Sequence, residues 1–477
     1  MNHLDEFYID GAWVEPLKAT RFQLTDPATE MAGVNIALGG VEDVDRAVSA
    51  ARRAFPAFSQ TSVADRIRLL ERIVESFRAR EDDIMAAVTQ EMGAPISMRA
   101  HVGAGLEGFQ QALATLKDFP FETRLGDTII RREAIGVCGL ITPWNWPVQL
   151  VANKLGSSLA AGCTIVLKPS EYSTLSALVL AEVLDTAGVP KGVFNLVNGD
   201  GPTVGHAISA HPDIDVVSFT GSTRAGVLVA EAAAPTVKRV CQELGGKSAN
   251  IILPYADLDA AARWNVARGF SNCGQSCHAP TRVLVHEEQQ EQLLAVMREE
   301  AGKVKAGDPN DPATTMGPVV NRSQYERIQQ FIQSAMDEGA RLACGGLGRP
   351  AGLDRGYFVQ PTVFADVTPD MVVAREEIFG PVLSVMTYSS LEQAIEIANA
   401  TSYGLGAYVF SSDRETALTV GRRLRAGRVF CNGAPPRPDA PMGGYKRSGN
   451  GREMGTFGLE EYLEVKAMFG YLDAPSG

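Results

Sequence analysis

The stretch GVCGLITP at 136–143 opens a run in which short β-rich segments alternate with longer helical ones, and that alternation decides the fold class. It continues as helical VANKLGSSLAAG at 151–162, TIVLKP at 164–169, helical YSTLSALVLAEVLDTAG at 172–188 and VFNLVNG at 193–199. Helical PTVGHAISA at 202–210, strand-like DVVSFTG at 215–221, helical STRAGVLVAEAAA at 222–234 and strand-like KRVCQEL at 238–244 complete the run. Strands that alternate with helices of about 10–15 residues form βαβ units, which pair into a parallel sheet. Open sheets of this kind bind ligands beyond the carboxyl ends of their strands, so the residues just after each strand carry the functional interest.

Upstream, 41–57, 63–80 and 81–92 place apolar residues three or four apart and are predicted to be amphipathic helices. Downstream, SANIIL at 248–253, DLDAAARWNVARGF at 257–270, TRVLVHE at 281–287 and QEQLLAVMREEAGKV at 290–304 begin a second α/β block that runs to about residue 447. Two pieces fit neither block. ETRLGDTIIRRE at 122–133 alternates like an exposed strand pair, and the tail carries YLEVKAMFGYL at 462–472. Exposed strand edges seek partners. The expected division is therefore 1–115 with 135–245, then 246–447, with 116–134 and 448–477 as a small β element.

A chain of 477 residues is long enough for two or three domains. Its 45% hydrophobic and 21% charged content is that of a globular protein. A net charge of -12 argues against nucleic acid and against anionic membrane surfaces, both of which require a basic face. The N-terminal MNHLDEFYIDGAW has no basic segment followed by an apolar run, so no secretory signal is expected, and no segment has the ~20 apolar residues of a membrane span. Seven scattered cysteines suggest reduced thiols and a cytoplasmic location.

Three strings carry chemistry. In FSNCGQSC at 270–277 a cysteine sits at a turn between a helix and a β-rich run. Cys277 is open to three readings there: an inert buried thiol, a metal ligand with Cys273 and His278, or a nucleophile, which requires access and a nearby group to promote the thiolate. In QELGGK at 242–247 the Glu243 carboxylate ends a strand beside two glycines; it is either a surface charge or a group facing a cleft. In ITPWNWP at 141–147 the Asn145 amide either satisfies a turn or donates to an oxyanion. His278 invites pairing with Cys277, but adjacent side chains on a turn commonly point apart, and it is assigned to pocket lining. The histidines and cysteines lack paired zinc spacing, so no metal is expected. GDGPTVG at 199–205 nearly imitates G-x-G-x-x-G, but its last glycine is one residue late.

Together these strings resemble the aldehyde dehydrogenase superfamily along essentially the whole chain, with PWNWP at 143–147, KPSE at 168–171, FTGS at 219–222, ELGGK at 243–247, GQSC at 274–277, EEIFGP at 376–381 and GGYKRSG at 443–449 in the family's order. The resemblance implies an α/β fold with a Rossmann-like NAD-binding domain, an α/β catalytic domain and a small β oligomerisation element, the three pieces divided above. It implies that Cys277 attacks an aldehyde and that Asn145 and the Cys277 N–H hold the oxyanion. Glu243 then activates the water that hydrolyses a thioester, and Lys154 and Glu453 support the site. The cofactor implied is NAD, held by Ile141, Thr142, Pro143, Trp144, Lys168, Ser170, Glu171, Gly201, Phe219, Gly221, Ser222, Leu244, Gly245, Glu377 and Phe379. Glu171 favours NAD over NADP, since a carboxylate accepts from free ribose hydroxyls and repels a 2′-phosphate.

By family position the acyl pocket is lined by Trp146, Val148, Leu150, Ser276, His278, Pro436 and Met442. This mostly apolar set suits a medium-length or bulky apolar aldehyde and does not form an aromatic cage for a quaternary ammonium. Arg437 opens the alternative of a semialdehyde bound through a distal carboxylate. Acyl transfer to CoA is disfavoured by Glu243, which that branch does not need. A non-catalytic binding protein on the same fold is disfavoured by the joint presence of Cys277, Glu243 and Asn145. A homo-oligomer is implied, a dimer or a dimer of dimers (homotetramer).

Overall fold

The computed structural model describes residues 2–471; residues 472–477 of the expected oligomerisation tail lie outside them. The opening stretch is strand Val137–Ile141, buried along its length because it is apolar on both faces. It lies in an eight-stranded sheet whose order is Gly449–Asn450, Arg239–Glu243, Val216–Thr220, Val137–Ile141, Thr164–Lys168, Phe194–Leu196, Phe7–Ile9 and Ala12–Val14. The five strands from Arg239–Glu243 to Phe194–Leu196 run parallel, as the alternation requires. The edges are antiparallel. On one side this follows from a tight hairpin at Asp10 and Gly11, both with positive φ; on the other, Gly449–Asn450 brings part of the tail back onto the first sheet.

Chain order reverses direction between Val137–Ile141 and Val216–Thr220: the next two strands extend the sheet one way, the later two the other. A crevice opens at such a switch point. The second block folds as a seven-stranded sheet, ordered Arg341–Cys344, Thr362–Ala365, Val382–Tyr388, Arg282–His286, Ala249–Ile252, Gly406–Phe410 and Arg428–Cys431, parallel but for its first strand. The strands Glu122–Leu125, Thr128–Ala134 and Leu463–Met468 form a separate antiparallel sheet.

The amphipathic segments fold as Val41–Phe58, Val63–Ala79 and Glu81–Met92, each burying its apolar stripe. Helix Pro147–Ala161 is buried on nearly all sides. Pro147 starts it and Gly162, at φ +90°, ends it in the left-handed conformation that glycine adopts without strain. The segment 202–210 is not one α-helix: Gly201–Gly205 makes a π turn, with the Asp200 side chain accepting from the Thr203 N–H, before helix His206–Ala210. Among the described residues no helix is long and apolar enough to cross a membrane.

Candidate active site

Helix Leu258–Phe270 ends in a tight turn over Ser271–Gly274, where Asn272, Cys273 and Gly274 all have left-handed backbone, with φ of +53°, +55° and +69°. For residues bearing a Cβ this conformation costs about 1–2 kcal/mol each, so the surroundings must hold it. The Asn272 Nδ2 donates to the Asn145 carbonyl at 2.8 Å and the Gln275 Nε2 donates to the Asn272 carbonyl at 3.1 Å. The Gln275 Oε1 accepts from the Val320 N–H at 3.0 Å. The turn buries Cys273 and delivers Cys277, half-buried, to a cavity of about 190 Å³. The two thiols are thereby separated: one packs, the other faces open space.

Asn145 and Glu243 border the same cavity. One N–H of the Asn145 amide donates to the Gln275 carbonyl at 3.0 Å, which fixes the amide against the cysteine turn and leaves its second N–H uncommitted. Glu243 is buried, and its Oε1 has no hydrogen-bond partner. Burial, and after it the Glu453 carboxylate, holds the Glu243 carboxyl well above the usual range. Behind it the buried Lys154 Nζ donates to Ser218 Oγ at 2.8 Å and to Glu453 Oε1 at 2.5 Å. Burial, with Glu377 and Glu243 next, pushes the Cys277 thiol up to about 12.

Pro143, Trp144, Gly221, Ser222, Leu244, Gly245, Glu377 and Phe379 line this cavity too. Ile141, Gly201 and Phe219 line a second cavity of about 560 Å³ that also borders helices His206–Ala210 and Thr223–Ala233. Ser222 caps helix Thr223–Ala233. Lys168 is buried and donates to the carbonyls of Pro169 and Gly199, both at 2.7 Å, while Glu171 lies 3.8 Å from its ammonium. The Thr142 N–H donates to the Lys168 carbonyl, and Ser170 accepts from the Tyr172 N–H. A Cβ on Gly245 would overlap the Glu377 carboxylate, which accepts from the Gly246 N–H at 3.0 Å and which burial lifts to about 7. Glu171 is half-buried and lines neither cavity.

The expected acyl-pocket residues divide. Leu150 lines the cavity, and Trp146 Nε1 donates to Ser276 Oγ at 2.8 Å. Val148 does not belong with them: it is fully buried and faces Gly105 of helix Ala100–Asp118. Helical geometry explains the correction, because Val148 and Leu150, two residues apart on one helix, face nearly opposite ways. Pro436 is exposed, and Met442 is half-buried, its backbone exchanging two 2.8 Å hydrogen bonds with that of Glu453. The exposed Arg437 is held by both oxygens of Asp439, at 2.9 and 2.7 Å. His278 does not point away from its neighbour: its Nδ1 lies 3.9 Å from Cys277 Sγ.

Several contributors carry no motif. Gln324 and Arg327 reach the cavity from helix Arg322–Asp337, and Gln324 donates to the carbonyls of Ile378 and Phe379. In the sequence they are polar positions of an amphipathic helix, indistinguishable from surface residues. The buried ring of His101 stacks on Trp146, with centroids 4.3 Å apart.

The family model of the aldehyde dehydrogenase family matches residues 13–468. The chain is 52% identical over 474 residues to 3-succinoylsemialdehyde-pyridine dehydrogenase of a Pseudomonas species, covering 99% of each. It superposes with a TM-score of 0.98 on a cysteine-to-alanine mutant of aldehyde dehydrogenase C from Pseudomonas syringae in complex with NAD+ and octanal, at 49% identity and covering 100% of this chain and 99% of that one. A Mycobacterium tuberculosis aldehyde dehydrogenase complexed with NAD+ is 37% identical, with a TM-score of 0.95 and 99% of each chain covered.

Proposed function

The chain belongs to the aldehyde dehydrogenase family of aldehyde-oxidising oxidoreductases, and from that premise we propose that it is a cytoplasmic, NAD-dependent enzyme that converts an apolar medium-chain or bulky aldehyde to its carboxylic acid. The observation that carries this reading is the meeting of Cys277, Asn145 and Glu243 around one cavity. Cys277 Sγ attacks the aldehyde carbon, and the free Asn145 N–H with the Cys277 N–H receives the developing oxyanion. Bound NAD supplies the two-electron acceptor that turns the adduct into a thioester. Glu243 takes a proton from water as the water attacks that thioester; the acid leaves and the thiolate returns. Its raised affinity for protons makes Glu243 a stronger base than an exposed carboxylate, and the Lys154–Glu453 pair offers the proton a route away.

The cofactor site is assigned to 1–115 with 135–245 and the nucleophile to 246–447. Glu171, half-buried beside Lys168, supports NAD over NADP, as a carboxylate there repels a 2′-phosphate. The preference for an apolar substrate rests on Leu150 in the cavity beside Cys277, with Arg437 already occupied by Asp439. The octanal complex of the P. syringae enzyme favours it as well. A second reading, a semialdehyde substrate, is favoured by the name of the Pseudomonas relative. The test compares NADH or NADPH formation from octanal and from a carboxylate-bearing semialdehyde. A higher kcat/KM for the charged substrate overturns the apolar assignment. Cys277→Ala is expected to abolish turnover; if it persists, the nucleophile is elsewhere.

A further inference from the structure

We propose that His278 donates a hydrogen bond from its Nδ1–H to Cys277 Sγ, in a tautomer fixed by Arg268, and thereby promotes the thiolate without acting as a base. The proposal rests on the reading of Cys277 as the nucleophile. Its geometric basis is a chain of three side chains from helix Leu258–Phe270 to the reactive sulfur. Arg268 Nη2 lies 3.0 Å from His278 Nε2, and His278 Nδ1 lies 3.9 Å from Cys277 Sγ, a long contact within the reach of an N–H···S bond. A guanidinium only donates. His278 Nε2 must therefore accept, and the one proton of the neutral ring sits on Nδ1, on the side of the sulfur. A ring so arranged has no lone pair with which to take the thiol proton.

The surroundings hold this state. Burial, with the Arg268 and Arg428 cations, lowers His278 to about 3, so the ring does not acquire a second proton. Tyr408 donates to the His278 carbonyl at 2.7 Å and anchors the backbone. Among the described residues neither Arg268 nor Arg428 has a carboxylate within ion-pair distance, so their charge is not cancelled locally. The groups facing Cys277 are Glu243 at the end of strand Arg239–Glu243, Glu377 in the loop after residue 375, Tyr408 on strand Gly406–Phe410, Arg428 on strand Arg428–Cys431, and His278 itself. The two carboxylates oppose the thiolate; a donated N–H and the cations behind it work against them.

The test is the rate at which iodoacetamide labels Cys277 in the full-length protein between pH 7 and 9, with the labelled peptide identified by mass spectrometry. Below the thiol's pKa the rate follows the thiolate fraction. His278→Leu, whose side chain is no bulkier than imidazole, is expected to slow labelling on the order of tenfold across the range. His278→Asn places an amide N–H near the position of Nδ1–H and is expected to recover most of the rate. His278→Gln, whose amide reaches the Nε2 position instead, is expected to behave like the Leu variant and serves if that one does not fold. Arg268→Met, which releases the tautomer, is expected to fall between. Unchanged labelling in the Leu and Gln variants overturns the proposal. Turnover surviving Cys277→Ala would instead overturn the nucleophile reading, which labelling of the parent does not test.

Discussion

Glu243 is a buried carboxyl with an orphaned oxygen, and its proton affinity is set first by burial and then by Glu453. An acid whose pKa is raised becomes a base only at higher pH, so the rising limb of kcat against pH, where deacylation limits, belongs to this group. Glu453→Gln removes the second cause and leaves Lys154 uncompensated nearby. That limb is expected to move to lower pH, checked by steady-state profiles; a limb that stays in place assigns it to another group. Glu243→Gln is expected to give one equivalent of NADH in a burst followed by a stall, and a normal steady state would remove Glu243 from deacylation. Lys154→Met leaves Glu453 buried without its cation and is expected to cost about 3–5 kcal/mol of stability, measured by denaturant unfolding.

At the scale of elements, the site depends on how closely two segments approach. A Cβ on Gly246, just beyond strand Arg239–Glu243, would overlap the Cys277 carbonyl, which is backbone and has little room to move. Gly246→Ala is expected to displace the cysteine turn and lower kcat at least tenfold while leaving the fold intact, as read by kinetics beside circular dichroism. Glu91, on helix Glu81–Met92, is buried against helix Thr174–Thr186, with one oxygen accepting the Ser176 N–H at 3.1 Å and the other unpartnered. Burial raises it from about 4.5 to about 8. The folded state thus keeps a proton that the unfolded chain releases, so this contribution is full below about pH 4.5 and is lost as pH rises toward 8. Glu91→Gln is expected to flatten that slope, worth about 3–5 kcal/mol over the interval. These elements were legible because period and burial agree: the run from 136 to 244 alternates in sequence and folds as parallel strands. What sequence could not give was direction within a turn. Val148 and Leu150 are both apolar and two residues apart, but only helical phase sends one to the core and the other to the cavity. His278 and Cys277 are adjacent, but adjacency alone does not record that the His278 Nδ1 comes to 3.9 Å from Cys277 Sγ. Gln324 and Arg327 reach the site across some fifty residues of chain from Glu377, a separation that no local pattern records.

At the scale of the molecule, every residue proposed for the chemistry comes from one chain, whereas the three-stranded sheet has no role within that chain that would require its apolar surface to be bare. Leu125, Val465 and Phe469 are 70%, 66% and 75% exposed, and strands Glu122–Leu125 and Leu463–Met468 are the unpaired edges of the sheet. Such edges template pairing with another strand, and exposed apolar side chains beside them mark a surface meant to be covered. Association through this element would cover both features in a homo-oligomer. Val465→Glu combined with Phe469→Glu places two charges on that surface and is expected to lower the solution mass, by light scattering, from a multiple of the 51.0 kDa chain toward the single chain. Because Cys277, Asn145 and Glu243 of one chain line a single cavity, the dissociated protein is expected to retain a burst of NADH from an aldehyde. An unchanged mass would exclude this surface as the contact, and loss of the burst in a folded monomer would show that the partner shapes the site after all.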